Sequence, residues 1–213
     1  MNSLSVILSE LANTPYIVAI VASSYLLGAI PSGYLIAKLF LGYDIRTRGS
    51  GNIGMTNMIR TGGKIPGIAT FLLDFLKGTA GVFIARLLNA PDSAMLLAGF
   101  LGIFGHTRSI FLSFRGGKGM ATCFGVLMAI DYILFSIVAA CWLVVFSWKR
   151  ISSLAALSAL GVLPLSAFLL YGAHMTFFFC ITAATYIFAL HRENIERLLT
   201  NRENELKSSK KPE

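Results

Sequence analysis

The sequence predicts an all-α fold, a polytopic integral membrane protein of seven transmembrane helices with its N-terminus outside and its C-terminus in the cytoplasm. Three observations predict it. Of 213 residues, 55% are hydrophobic and only 13% charged, whereas a soluble domain carries about a quarter charged residues. The apolar residues fall in helix-length runs parted by short polar loops, and the mean hydropathy is +0.72. The basic residues gather on alternate loops, as the positive-inside rule requires.

The runs are 16–41, 65–88, 94–105, 120–130, 132–146, 154–170 and 175–189. The first holds Pro31, Ser32 and Gly33, which predict a kink whose freed backbone groups must find partners on neighbouring helices. The second holds Asp74 and Lys77, three residues apart and able to neutralise each other. A full crossing takes about 20 residues, so the fourth run is short and the third and fifth are marginal. Joining the fourth to the fifth would bury Asp131 in lipid and put Lys149 and Arg150 outside, so the two are kept apart.

With the loop 44–64 inside, every basic residue except Lys77 and Arg86 lies on or beside an inner segment, and the outer turns hold Asp92 and Asp131. The net charge of +8 is then explained as topology, and nucleic acid is not expected as a partner. One membrane-embedded domain, 1–213, is expected, with 203–213 a disordered basic tail. No secretory leader is expected, since "MNSLSVILSE" lacks a basic n-region. Cys123, Cys141 and Cys180 lie far apart and form no C-x-x-C pair, so they read as buried small hydrophobes. His106 and His174 have no ligating residues near them in sequence, so neither a metal nor any other cofactor is expected.

"GSGNIGMTN", 49–57, satisfies G-x-G-x-x-G at Gly49, Gly51 and Gly54. The dinucleotide fingerprint requires a preceding strand and a following helix. Here the motif follows an apolar helix and "DIRTR", and the acid downstream, Asp74, sits within an apolar run. That context excludes a Rossmann site.

Three inner segments share an unusual polarity: "RTRGSGNIGMTNMIRTGGK", "GHTRSIFLSFRGGKGMAT" and "HRENIERLLTNRE". In the first, glycines alternate with Ser50, Asn52, Thr56 and Asn57 and with Arg46, Arg48, Arg60 and Lys64. Glycine lets backbone N–H groups approach a ligand, and an arginine grips a phosphate with two donors. A flexible loop with ordinary topological charge is the alternative. The second weakens that alternative, because Lys118 stands just before a helix start, where free N–H groups favour anions. A following helix of about a dozen residues covers roughly 18 Å, which suggests that Lys118 lies in a recess below the membrane surface.

The third segment is expected to continue the last span as a helix. In it Arg192–Glu196 and Glu193–Arg197 pair at i, i+4, leaving His191 and Asn194 on one face to point at whatever the loops bind.

Together with "LLDFLKG" and "KRISSL", these three segments resemble the bacterial acyl-phosphate-dependent glycerol-3-phosphate acyltransferases, the PlsY family. The resemblance runs over about 26–202. It implies transfer of a fatty acyl group from acyl phosphate to the 1-hydroxyl of glycerol 3-phosphate, giving lysophosphatidic acid and phosphate. It also implies the cytoplasmic face of the bacterial inner membrane as the location and membrane lipid as the surroundings, and it allows contact with the enzyme that makes acyl phosphate. The H-x-x-x-x-D pair of the soluble-face acyltransferases is missing, since Phe111, Phe179 and Glu196 stand five residues after His106, His174 and His191.

By the resemblance, Ser50, Arg60 and Lys118 match phosphate-binding positions, with Asn52 and Asn57 supporting them in the same loop and Ser153 a weaker supporting contact. His191 and Asn194 match positions near the reacting groups. Asn194 suits the oxyanion donor, and the hydroxyl proton goes either to His191 or to a substrate phosphate oxygen. A transporter of small phosphorylated anions is the rival class, but transporters place their sites near the midplane in paired repeats, and no repeat is evident. A scaffold that only binds anionic lipid has no need of His191 and Asn194.

Overall fold

The computed structural model describes residues 16–203, and the regular elements among them are all helical. In chain order they are α1 (Tyr16–Ala29), α2 (Ser32–Phe40), α3 (Met55–Gly62), α4 (Lys64–Leu87), α5 (Asp92–Thr107), α6 (Met120–Ile130), α7 (Tyr132–Lys149), α8 (Ser152–Tyr171), α9 (Met175–Ala189) and α10 (Arg192–Leu199). Single 3₁₀ turns lie at Ile45–Thr47 and Ile110–Leu112.

All seven apolar runs are helices, but they differ in reach. Five are long and apolar enough to cross a membrane: Tyr16–Phe40, Lys64–Leu87, Asp92–Leu112, Tyr132–Lys149 and Ser152–Tyr171. Met175–Ala189 makes a sixth only when joined to Arg192–Leu199, and Met120–Ile130 is shorter. Large apolar side chains such as Phe40, Trp148 and Leu169 stand exposed on the outside, which suits lipid and not water.

The predicted kink parts α1 from α2 at Ile30 and Pro31. Two carbonyls at the break have partners on other segments. Ser109 Oγ donates to Ala29 O at 2.5 Å and Lys77 Nζ to Ile30 O at 2.7 Å. An unpaired carbonyl at membrane depth costs several kcal/mol (about 2–7), so these two bonds make the break tolerable.

Apolar burial drives helix association weakly in lipid, and close packing takes over. A methyl on Gly28 of α1 would stand 2.2 Å from Gly102 O of α5, and one on Gly125 of α6 would stand 1.9 Å from Phe75 O of α4. These contacts press α5 and α6 into the middle of the bundle. Around them Val82, Leu127, Leu134, Leu160, Leu163 and Ile187 form the largest buried cluster. The short helix α6 is thereby fixed from several sides, and with it the loop before it.

Asp74 and Lys77 neutralise each other at 2.7 Å, as their spacing predicts. His106 corrects the expectation of isolation. It is 4% exposed and its Nδ1 lies 3.5 Å from Asp74 Oδ1. The partner comes from α4, some thirty residues away in sequence, so no local pattern announces it. His174 caps α9, its Nδ1 accepting from Thr176 N.

Candidate functional site

At one end of the bundle the three polar segments converge. The first loop is shaped from within. Asn57, 1% exposed, donates from Nδ2 to Asn52 O at 2.8 Å and Arg48 O at 3.1 Å, while its Oδ1 accepts Ser50 N at 2.9 Å. Gly49 packs over it with φ +59, and a Cβ there would stand 2.1 Å from Asn57 Oδ1. Glycine alone meets both demands.

Asn57, expected as a supporting contact beside the phosphate ligands, is buried and its amide is spent on the loop backbone. Asn52 Oδ1 accepts Gly54 N at 2.8 Å, leading the chain into α3, so that oxygen too serves the loop. Both asparagines shape the cradle. Ser50 is exposed at its rim and Arg60 is half-buried in the last turn of α3.

The second segment brings Lys118 to the third. Its Nζ donates to Asn194 Oδ1. An ammonium only donates, so the carbonyl end of the Asn194 amide must face it. The opposite end, Nδ2, donates to Glu203 Oε1 at 2.9 Å. The same oxygen accepts Ser153 Oγ at 2.9 Å, and Glu203 Oε2 accepts Arg197 Nε at 2.6 Å.

Glu203 was missed at the sequence level, where 203–213 was expected to be a disordered tail. Its side chain is in fact 8% exposed and bound by three residues. The sequence carries little signal for it, since Glu203 closes the polar segment "HRENIERLLTNRE" among other acids, Glu193, Glu196 and Glu205. The rest of that expectation, 204–213, lies outside the described residues, as do the two chain ends. Arg197 also turns to Glu203 and not to Glu193 as its helical spacing suggested.

The last apolar helix does not simply continue. A 63° bend separates α9 from α10, and His191 stands at the corner. Its ring is 4% exposed, with Nδ1 2.8 Å from Ile187 O. A carbonyl only accepts, so Nδ1 carries the proton and Nε2 is the basic nitrogen. Burial pushes the imidazole below its ordinary value. The bond to Ile187 opposes this, and the Lys118 charge adds to it.

Burial and the charge of Arg197 likewise lower the Lys118 ammonium. Burial opposes ionisation of Glu203, but hydrogen bonds from Arg197, Asn194 and Ser153 hold its carboxyl below its ordinary value. At neutral pH the corner thus presents a neutral, proton-accepting His191 beside a charged Lys118–Asn194–Glu203 chain.

The fourth contributor is the start of α8. Ser152 Oγ and Thr56 Oγ1 share a hydrogen bond of 2.9 Å, tying α3 to α8. Ser153, the next residue, is 7% exposed and bound to Glu203. It supports the site through that carboxylate. No group of three or more His, Cys, Asp or Glu positioned to hold a metal occurs among the described residues.

Comparison with known proteins adds three findings. The family described as glycerol-3-phosphate acyltransferase matches residues 18–201. Glycerol-3-phosphate acyltransferase from Dinoroseobacter shibae is 42% identical over 203 residues, covering 95% of this chain and 99% of its own. That from Jannaschia sp. is 45% identical over 160 residues, 75% of this chain and 78% of its own. The crystal structure of PlsY, an integral membrane glycerol 3-phosphate acyltransferase, in its glycerol 3-phosphate form superposes with a TM-score of 0.85 at 40% identity, covering 90% of this chain and 96% of that one. Its lysophosphatidic acid form gives 0.82 at 38% identity, with the same coverage.

Proposed function

The chain belongs to the glycerol-3-phosphate acyltransferase family, and we propose that it takes its acyl group from acyl phosphate, giving lysophosphatidic acid and inorganic phosphate at the cytoplasmic face of a bacterial inner membrane. The neighbours described in glycerol 3-phosphate and lysophosphatidic acid forms support the acceptor and the product. The observation that carries the reading is the contact of Lys118 with Asn194 beside the neutral His191. Cation, amide and base stand within one corner.

In this reading all seven apolar helices belong to the membrane part, with the N-terminus outside and the C-terminus inside. The short α6 then sets Lys118 below the surface, where a retained charge marks function. Lys118, Arg60 and Ser50 hold phosphate, over a cradle shaped by Asn52 and Asn57. Ser153 acts through Glu203.

The acceptor's 1-hydroxyl oxygen attacks the acyl carbon of acyl phosphate. Its proton passes to His191 Nε2, a new C–O ester bond forms, and the bond between the acyl carbon and the phosphate oxygen breaks. Phosphate leaves with that electron pair. Because the donor is a mixed anhydride, no covalent enzyme intermediate is required. Holding the two substrates in attack geometry supplies about 7–11 kcal/mol. The second Asn194 N–H serves the tetrahedral oxyanion, a contact worth about 3–4 kcal/mol.

The test is purified protein in detergent with labelled glycerol 3-phosphate, supplied with palmitoyl phosphate in one tube and palmitoyl-CoA in another. Labelled lysophosphatidic acid from the acyl phosphate tube alone is expected. Product from the CoA tube would refute the proposed donor.

A further inference from the structure

The buried trio of Asp74, Lys77 and His106 takes no part in the chemistry above, yet it lies directly under the loop that carries Lys118. One edge of the imidazole faces Asp74, with Nδ1 3.5 Å from Oδ1, a polar approach that falls short of an aligned hydrogen bond. Asp74 is anchored by Lys77 at 2.7 Å, and Lys77 by the Ile30 carbonyl at 2.7 Å. The opposite edge faces Gly117, where a methyl group would stand 2.2 Å from His106 Nε2.

The backbone repeats the contact. His106 O accepts Gly117 N at 3.1 Å, and Thr107 O accepts Gly116 N at 3.0 Å. A methyl on Gly116 would meet His106 O at 1.9 Å. The two residues before Lys118 are therefore laid flat on the end of α5, against the ring and along its carbonyls. A plain core histidine accounts for the burial of His106. It does not account for a ring wedged between a buried carboxylate and the backbone that leads into the site's cation.

We propose that His106 is a positioning residue for Lys118. Oriented by Asp74, its ring is the floor under the 116–117 backbone and sets where the Lys118 ammonium stands toward Asn194 and the substrate phosphate. This rests on Lys118 being a phosphate ligand, as proposed above.

The test is equilibrium binding of labelled glycerol 3-phosphate to detergent-purified protein without acyl donor. Wild type, His106→Ala, His106→Phe, Lys118→Ala and the double variant His106→Ala/Lys118→Ala are compared, with melting temperatures alongside. His106→Ala is expected to weaken binding about tenfold, the lower end of what a hydrogen bond between charged groups is worth. The double variant is expected to bind no worse than Lys118→Ala, because the effect passes through that residue. His106→Phe keeps a ring under Gly117 but loses the contact with Asp74. It is expected to fall between wild type and His106→Ala, and it serves where the alanine variant fails to fold.

An equal loss from His106→Ala in both backgrounds would overturn the proposal. So would a lowered melting temperature with unchanged affinity, or wild-type binding by His106→Phe. Wild-type protein that binds no glycerol 3-phosphate would refute the acceptor assignment itself. Lys118→Ala binding as wild type would refute its phosphate role and remove the basis for His106.

Discussion

In the loop 49–57 the side chain of Asn57 reaches back to the Asn52 and Arg48 carbonyls, whereas the loop 116–119 is held from outside, on His106 and Thr107 of α5. The first is braced largely from within by Asn57, although Ile53 at its middle also packs against Gly33 and Ile36 of α2. The second takes its shape from the way α4, α5 and α6 pack. A change in the packing of α5 will therefore move Lys118 and largely spare the Asn57-braced loop, while a change within that loop will disturb it locally. The two glycine-rich loops look alike in sequence and fail differently.

Removing the cation is the strongest perturbation of the externally held loop. Lys118→Ala is expected to lower kcat/KM by about a thousandfold, the scale of losing one preorganised charge-stabilising donor, with the melting temperature in detergent little changed. A loss under tenfold would mean that Arg60 alone suffices for the phosphate and that the externally held loop is secondary.

His191→Ala comes next, with kcat expected to fall by about a hundredfold, within the usual range for general base catalysis. The pH profile sharpens this. Burial holds the His191 pKa below its ordinary 6.5, so the ring is neutral at pH 7 and kcat is flat there. Activity is lost as pH falls through that lowered value, below pH 6.5. At the alkaline end Lys118 sheds its proton below its ordinary 10.5, so KM for glycerol 3-phosphate rises before that pH. An acidic limb that survives in His191→Ala would assign the proton to another acceptor.

Asn57→Ala tests the self-braced loop. It leaves the Ser50 N–H and the Ile45, Arg48 and Asn52 carbonyls without this partner, at a cost of about 1–3 kcal/mol. A lower melting temperature and a several-fold higher KM for glycerol 3-phosphate are expected together. Unchanged values of both would show that the loop does not depend on its own brace, and the contrast between the loops would fall.

The smallest effect is expected from Thr56→Val, which cuts the bond to Ser152. If the first loop supports itself, losing this tie to α8 costs about 0.5 kcal/mol and changes KM less than twofold. A large rise in KM would mean that the first loop, too, leans on the bundle.

The extent to which each feature was legible follows from the range of the interactions behind it. The Asp74–Lys77 pair was readable because its members are three residues apart on one helix. The kink at Pro31 was readable because proline removes a donor locally. Glu203 was assigned to a tail because its partners, Ser153 and Asn194, lie 50 and 9 residues away. The inward turn of Asn57 is not readable, because polarity in a loop does not tell which way a side chain turns.

By itself the sequence determined an all-helical chain with apolar helices suited to lipid, since apolar run length acts locally and needs no partner. Its three polar segments were enough to mark the family. Only the tertiary structure decided that Asn57 turns inward, that the chain bends at His191, that Glu203 ties Asn194 to Ser153, and that His106 lies under Lys118. The Glu203 and His106 contacts are pairings between groups on different elements. Such pairings exist only once close glycine contacts have brought the helices together, and no spacing along the chain encodes which group will face which.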